Sequence, residues 1–131
     1  MKTYAIRLLP SQDLKKALEI FVMEQKIKAG CIVTCVGSLK KAVLRMAGAK
    51  IVKELCGKYE IVSLVGTLCP DGLHLHMSLS DQEGNLVGGH VKDGCLVNST
   101  AEIVIGQLED VVFIREPDEA TGYKELKVLK K

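Results

Sequence analysis

The chain contains three histidines, and all of them fall in one stretch, Leu73–His90, read LHLHMSLSDQEGNLVGGH. His74 and His76 are two residues apart in an alternating segment. In a strand, side chains at i and i+2 share a face and stand roughly 7 Å apart. Two imidazoles at that spacing can turn onto one ion at about 2.0–2.1 Å each. His90 follows Asp81–Asn85, a DQEGN run in which Gly84 and Asn85 tolerate left-handed backbone angles. If that run is the loop of a hairpin, Ser80 pairs with Leu86 and His76 faces His90. All three imidazoles then lie on one face, unless a bulge at Gly88–Gly89 shifts the register. A plainer reading stands beside it: a half-exposed polar face whose ring nitrogens bond water or carbonyls. H-x-H with a distant third His is by itself an unspecific pattern.

At 131 residues the chain reads as a single domain spanning 1–131, without repeat, linker or low-complexity tract. That length buries a core without staples. It is 47% hydrophobic but has no Trp, so the core is aliphatic. A net charge of +2 is not the strongly basic balance of an electrostatic nucleic-acid binder. The five cysteines are odd in number and form no C-x-x-C, which predicts reduced thiols packed as small hydrophobes. Met1–Tyr4 runs straight into an alternating segment without a signal-like apolar run, so a cytoplasmic location is expected. No stretch of about 18 apolar residues is present to span a membrane.

Along the chain, Thr3–Leu9 alternates as a first strand, and Pro10–Ser11 breaks it. Ser11 is placed to cap a helix whose stripe is Leu14, Ala17, Leu18, Phe21 and Val22, running to Lys26. Cys31–Val36 reads as a buried strand ended by Gly37–Ser38, and Leu39–Ala47 as another. Ile51–Leu55 is a short strand or connector, and Gly57 opens a long strand over Lys58–Leu68. Gly66 within it marks a bulge or a close backbone approach. Pro70–Gly72 is a turn before the histidine hairpin. Cys95–Val97, Ala101–Ile105, Val111–Arg115 and Gly122–Leu129 complete about eight or nine strands around one helix, which is an α+β pattern with a largely antiparallel sheet.

Nine segments, taken in order, resemble one family. They are Arg7–Pro10, Ala29–Gly30, Val36–Leu39, Gly57–Ile61, Ser63–Thr67, His74–His76, Ser78–Asp81, Gly88–His90 and Thr100–Glu102. Together they are similar to the plant-and-prokaryote-conserved (PPC) domain, over nearly the whole chain. The resemblance implies an α+β domain with an antiparallel sheet of about seven strands flanked by few helices. It also implies a homotrimer. In plant members the domain follows AT-hooks that carry DNA contact, and it binds partners partly through a Gly-Arg-Phe-Glu-Ile motif. Gly57, Lys58, Tyr59, Glu60 and Ile61 are the counterpart here, expected as a partner-binding loop. The chain has no Arg-Gly-Arg-Pro hook, which weakens the expectation of DNA as a partner. The histidines instead match the prokaryotic single-domain branch, where the cluster looks like a metal site and zinc is the leading candidate.

Three histidine ligands leave a fourth position for water or a small molecule, the layout of a catalytic rather than a structural zinc. Such a site needs a carboxylate to orient ligand or water. Glu102 and Glu60 are the candidates, though an ion pair with Arg45 or a lysine is the commoner role for such residues. Ser38 can line a pocket or be a turn hydroxyl. Gly88 and Gly89 can admit a ligand to the backbone or form a bulge that aims His90. Imidazole also suits iron, nickel and copper. Three functions are therefore carried forward. One is a trimeric metal-binding protein whose open position admits a small molecule; the others are a DNA-binding protein and a trimeric partner-binding module.

Overall fold

The computed structural model describes all 131 residues. The chain forms β1 (Lys2–Leu8), α1 (Leu14–Glu24), β2 (Gly30–Arg45), β3 (Val52–Cys69), β4 (Gly72–Ser80), β5 (Leu86–Val91), β6 (Leu96–Gln107), β7 (Val111–Pro117) and β8 (Lys124–Lys130). Six strands make an antiparallel sheet in the order β1-β6-β2-β3-β4-β5, and β2 also pairs with β5. That extra pairing closes β2, β3, β4 and β5 on themselves as a small barrel. β7 and β8 form a separate two-stranded ribbon. No helix is long and apolar enough to cross a membrane.

β2 makes the closure possible because it bends. Its register against β6 shifts between Ile32 and Thr34, Gly37 and Leu39, and Leu39 and Lys41. Each irregularity adds local twist and turns the strand. The first part of β2 therefore lies against β6, while Leu44 and Arg45 reach Val91 and His90 of β5. The expected break at Gly37–Ser38 does not occur. A Cβ on Gly37 would stand 2.1 Å from the Thr100 carbonyl oxygen, so this glycine serves a close strand approach rather than a turn. Gly57 likewise lies inside β3, and Gly57–Ile61 is strand, not loop. Ile51–Leu55 and Lys58–Leu68, expected as separate pieces, merge into that strand apart from Ile51, which precedes it.

The helix covers the core with Leu14, Leu18 and Val22, one residue per turn on one face. Its N-cap is Asp13, not Ser11. Asp13 Oδ1 accepts from Lys16 N at 3.1 Å, and its other oxygen accepts from Gly94 N at 2.7 Å. One carboxylate thus caps the helix and ties it to the β5–β6 turn, which a serine hydroxyl cannot do. Beneath the helix lies a core cluster of 21 buried residues, dominated by Leu, Ile, Val and Ala as the composition requires. Each fully buried Leu or Ile contributes roughly 1.5–3 kcal/mol.

The ribbon has its own small core, with Phe113 packed on Ala29 and Cys69. Phe113 N donates to the Lys28 carbonyl at 3.0 Å, and Arg115 Nη2 donates to Thr67 Oγ1 at 2.9 Å. These contacts hold the ribbon beside the strands that carry the histidines.

Candidate metal centre

β4 and β5 meet in the register the turn chemistry predicts. Ser80 pairs with Leu86 and His76 with His90, with no shift at Gly88–Gly89. The turn fixes that count. Asp81 Oδ1 accepts from Glu83 N and Asn85 N at 2.9 Å each, and Gly84 adopts φ 85°. An Asx-type turn of this kind leaves no slack for a one-residue slip. Gly88 and Gly89 aim His90 by another route than a bulge. A Cβ on Gly89 would meet the Arg45 carbonyl at 2.7 Å, and one on Gly88 the Met77 carbonyl at 2.8 Å. Bare backbone lets β5 press against β2 on one side and β4 on the other. Gly66 plays the same part in β3, where a Cβ would lie 2.3 Å from the His74 carbonyl.

The three imidazoles converge on one face. His74 Nε2 and His76 Nε2 are 3.2 Å apart, and one ligand atom from each ring lies within 4.8 Å of the other two. Tetrahedral zinc with nitrogens at 2.0–2.1 Å separates them by about 3.3 Å, so modest ring rotations complete the set. His90 Nδ1 is buried without a hydrogen-bond partner. Such an orphan costs roughly 1–3 kcal/mol unless a ligand satisfies it. Burial, followed by Arg45, His74, His76 and Lys92, pushes His90 down to about 4. His74 is also lowered, first by burial, then by His76 and Arg115. Neutral rings with free lone pairs are what a metal needs. The donor set therefore fits a zinc-type ion.

The walls come from elements that the histidine pattern does not reveal. Arg45 sits opposite His90 across the β2–β5 pairing. Tyr123, from the β7–β8 turn, lies with its ring centroid 5.8 Å from the Arg45 guanidinium. A hollow of about 600 Å³ opens on the His76 side, lined by Arg45, Met46, Gly88, Gly89 and Tyr123. A second, of about 320 Å³, opens on the His74 side, between His90, Arg45, Arg115, Tyr123 and Glu125.

The remaining predicted pocket residues do not join the histidines. Ser38 and Glu60 line a different hollow with Ser99 and Asp81, and Ser38 Oγ shares a 2.9 Å hydrogen bond with Ser99 Oγ. Glu102 lies on β6, opposite Arg7 and Val36. Neither Glu60 nor Glu102 forms an ion pair. The carboxylates that line a hollow with the imidazoles are Asp71 and Glu125, and the charge of Glu125 opposes the lowering of His74. Arg45, Arg115, Tyr123 and Glu125 escaped the sequence reading because β2–β5 closure and ribbon docking are long-range events.

A family description, the Plants and Prokaryotes Conserved (PCC) domain, matches residues 1–109. The chain is 46% identical over 130 residues to Bifunctional protein GlmU of Synechococcus sp. (strain JA-3-3Ab), covering 99% of this chain and 21% of that protein. A hypothetical protein from Salmonella superposes with a TM-score of 0.96 at 42% identity, over 99% of this chain and 94% of that one. A metal-containing protein from Archaeoglobus fulgidus superposes at 0.80 with 27% identity, over 95% and 92% of the two chains. The strand order, the histidine hairpin and these likenesses agree: the chain belongs to the Plants and Prokaryotes Conserved domain family.

Proposed function

We propose that the chain is a metal-binding domain in which His74, His76 and His90 hold one zinc ion, with a fourth position open to a small molecule. The observation that carries this reading is the approach of three imidazole nitrogens to within 4.8 Å of one another. The orphaned His90 Nδ1 and the likeness to a metal-containing archaeal protein support it. Zinc bound by three imidazoles lowers the pKa of a bound water to about 7. The chain's own part is to hold His74 and His90 toward the neutral form, to set the spacing of the rings through the Asp81 turn, and to wall the open side with Arg45 and Tyr123.

Elemental analysis of protein purified under metal-replete conditions tests this. One equivalent of zinc per chain is expected, with loss of at least tenfold in affinity in His90→Ala. Protein that stays metal-free, or His90→Ala that retains full zinc, overturns the reading. Equimolar iron, nickel or copper in its place overturns the zinc assignment.

We also propose that the domain works as a homotrimer. Val33 and Val36 of β2 and Val62 and Val65 of β3 are 51%, 60%, 54% and 56% exposed. β2 and β3 thus each present two half-bare valines in the stretch where the two strands do not pair with each other, and exposed apolar side chains of this kind are what a second copy covers.

A further inference from the structure

We infer that the hollow between the imidazoles and the β7–β8 ribbon is a subsite for a small organic carboxylate, gripped by Arg45 and Arg115 beside the metal's open position. This inference rests on the zinc reading and extends it to the class of ligand.

Two guanidinium groups from unrelated elements line one hollow of about 320 Å³ together with His74 and His90. Arg45 ends β2 and Arg115 lies in β7. No carboxylate pairs with either of them. Arg115 is instead held in place from behind, donating from Nη2 to Thr67 Oγ1 at 2.9 Å and from its backbone N to Asp71 Oδ2 at 3.0 Å. Arg45 is steadied by the Tyr123 ring. Arginines that are positioned but not neutralised are poised for an external anion, and a planar fork suits a carboxylate.

Charge points the same way. Arg45, Arg115 and Lys124 against Asp71 and Glu125 leave the hollow one positive charge in excess before any metal enters. A divalent ion raises that excess further. Leu73 and the Tyr123 ring give the ligand's carbon skeleton an apolar surface. No helix N-terminus lines the hollow, and Gly72 is its one glycine, so the backbone cradle that phosphate prefers is missing. The volume suits an acid of a few carbons.

The family match ends at residue 109, whereas Arg115, Tyr123 and Glu125 follow it. The metal ligands thus lie within the matched stretch, and half of the proposed grip lies on the ribbon beyond it.

The test is calorimetric titration of the zinc-loaded protein with acetate, oxalate, malonate, succinate, pyruvate and inorganic phosphate, after zinc content has been measured. At least one of the carboxylates is expected to bind more tightly than phosphate. Arg45→Gln and Arg115→Gln are each expected to weaken it about tenfold or more while zinc stoichiometry stays at one. Arg115→Lys, which keeps charge but loses the fork, guards against a folding artefact and is expected to fall between. Thermal melts confirm that each variant is folded. Zinc uptake without carboxylate binding overturns this inference and leaves the zinc reading standing, as do unchanged affinities in both glutamine variants or phosphate binding more tightly. Failure to take up zinc at all overturns both.

Discussion

At the scale of single residues, the five free thiols divide by environment. Cys56 is exposed, whereas Cys35 is buried on β2 and pushed up to about 11 by burial, with Glu102 adding to the effect. At pH 7 its thiolate fraction is on the order of one in ten thousand. Iodoacetamide in native conditions is therefore expected to label Cys56 first and to leave Cys35 unmodified, as peptide mass mapping over time will report. The sign of the stability effect follows from the same shift. The unfolded thiol ionises around 9.0 and the folded one near 11, so unfolding releases a proton between those values. The contribution of Cys35 is complete below pH 9.0 and declines as pH climbs toward 11. Melting temperatures across that window should fall less steeply in Cys35→Ala than in the parent protein. The sequence already placed the cysteines as small buried hydrophobes, and Cys35, Cys69 and Cys95 are buried in that way. Burial order was not legible, because it depends on which face of a bent strand each thiol occupies.

At the scale of elements, the β4–β5 hairpin was the most legible part of the molecule. Turn chemistry is local, and Asp81, Gly84 and Asn85 announce their roles in five consecutive residues. From that turn the pairing of His76 with His90 follows by counting. The long strands were not legible in the same way. Gly37 and Gly57 read as strand ends, yet both lie within strands, and at Gly37 a neighbouring backbone presses close. A glycine that punctuates and one that admits a neighbour look alike until the neighbour is known. Asp81 gives the hairpin an acid limit. Bonds from the Asn85 and Glu83 amides and the Asn85 side chain hold its carboxyl below the ordinary 3.8. Its folded value is depressed, so its contribution is complete above that pH and is lost as pH falls through the lower folded value. Amide chemical shifts of Glu83 and Asn85 are expected to titrate together below pH 3.8, and Asp81→Ala to abolish that step. A titration of those amides that survives the substitution would contradict the turn as the register's source.

At the scale of the whole molecule, the sequence pointed to an aliphatic α+β domain with a mostly antiparallel sheet, and the structure has that form. What it could not show was the closure of β2 on β5 or the docking of the ribbon on Ala29 and Cys69. Both join residues far apart in sequence, and together they bring Arg45, Arg115 and Tyr123 to the imidazoles. Glu60 and Glu102, the carboxylates expected at the site, were candidates by type alone, and the topology places them away from the imidazoles, Glu60 in the Ser38 hollow and Glu102 opposite Arg7 and Val36. The proposed trimer belongs to this scale as well. Light scattering coupled to size exclusion should give three times the 14.3 kDa chain mass. Val36→Lys with Val62→Lys is expected to shift that mass to the monomer. A parent protein that elutes as a monomer at micromolar concentration would remove the trimer and leave the metal site unaffected.

The placement of Tyr123 gives the molecule a built-in optical signal. The chain has no tryptophan and three tyrosines. Tyr4 packs edge-on against Phe21, and Tyr59 faces the hollow that holds Ser38. Tyr123 alone leans over a guanidinium at the mouth of the imidazole cluster. Phenol emission, with no indole to mask it, should therefore change when that mouth fills, which allows occupancy to be followed without attaching a dye.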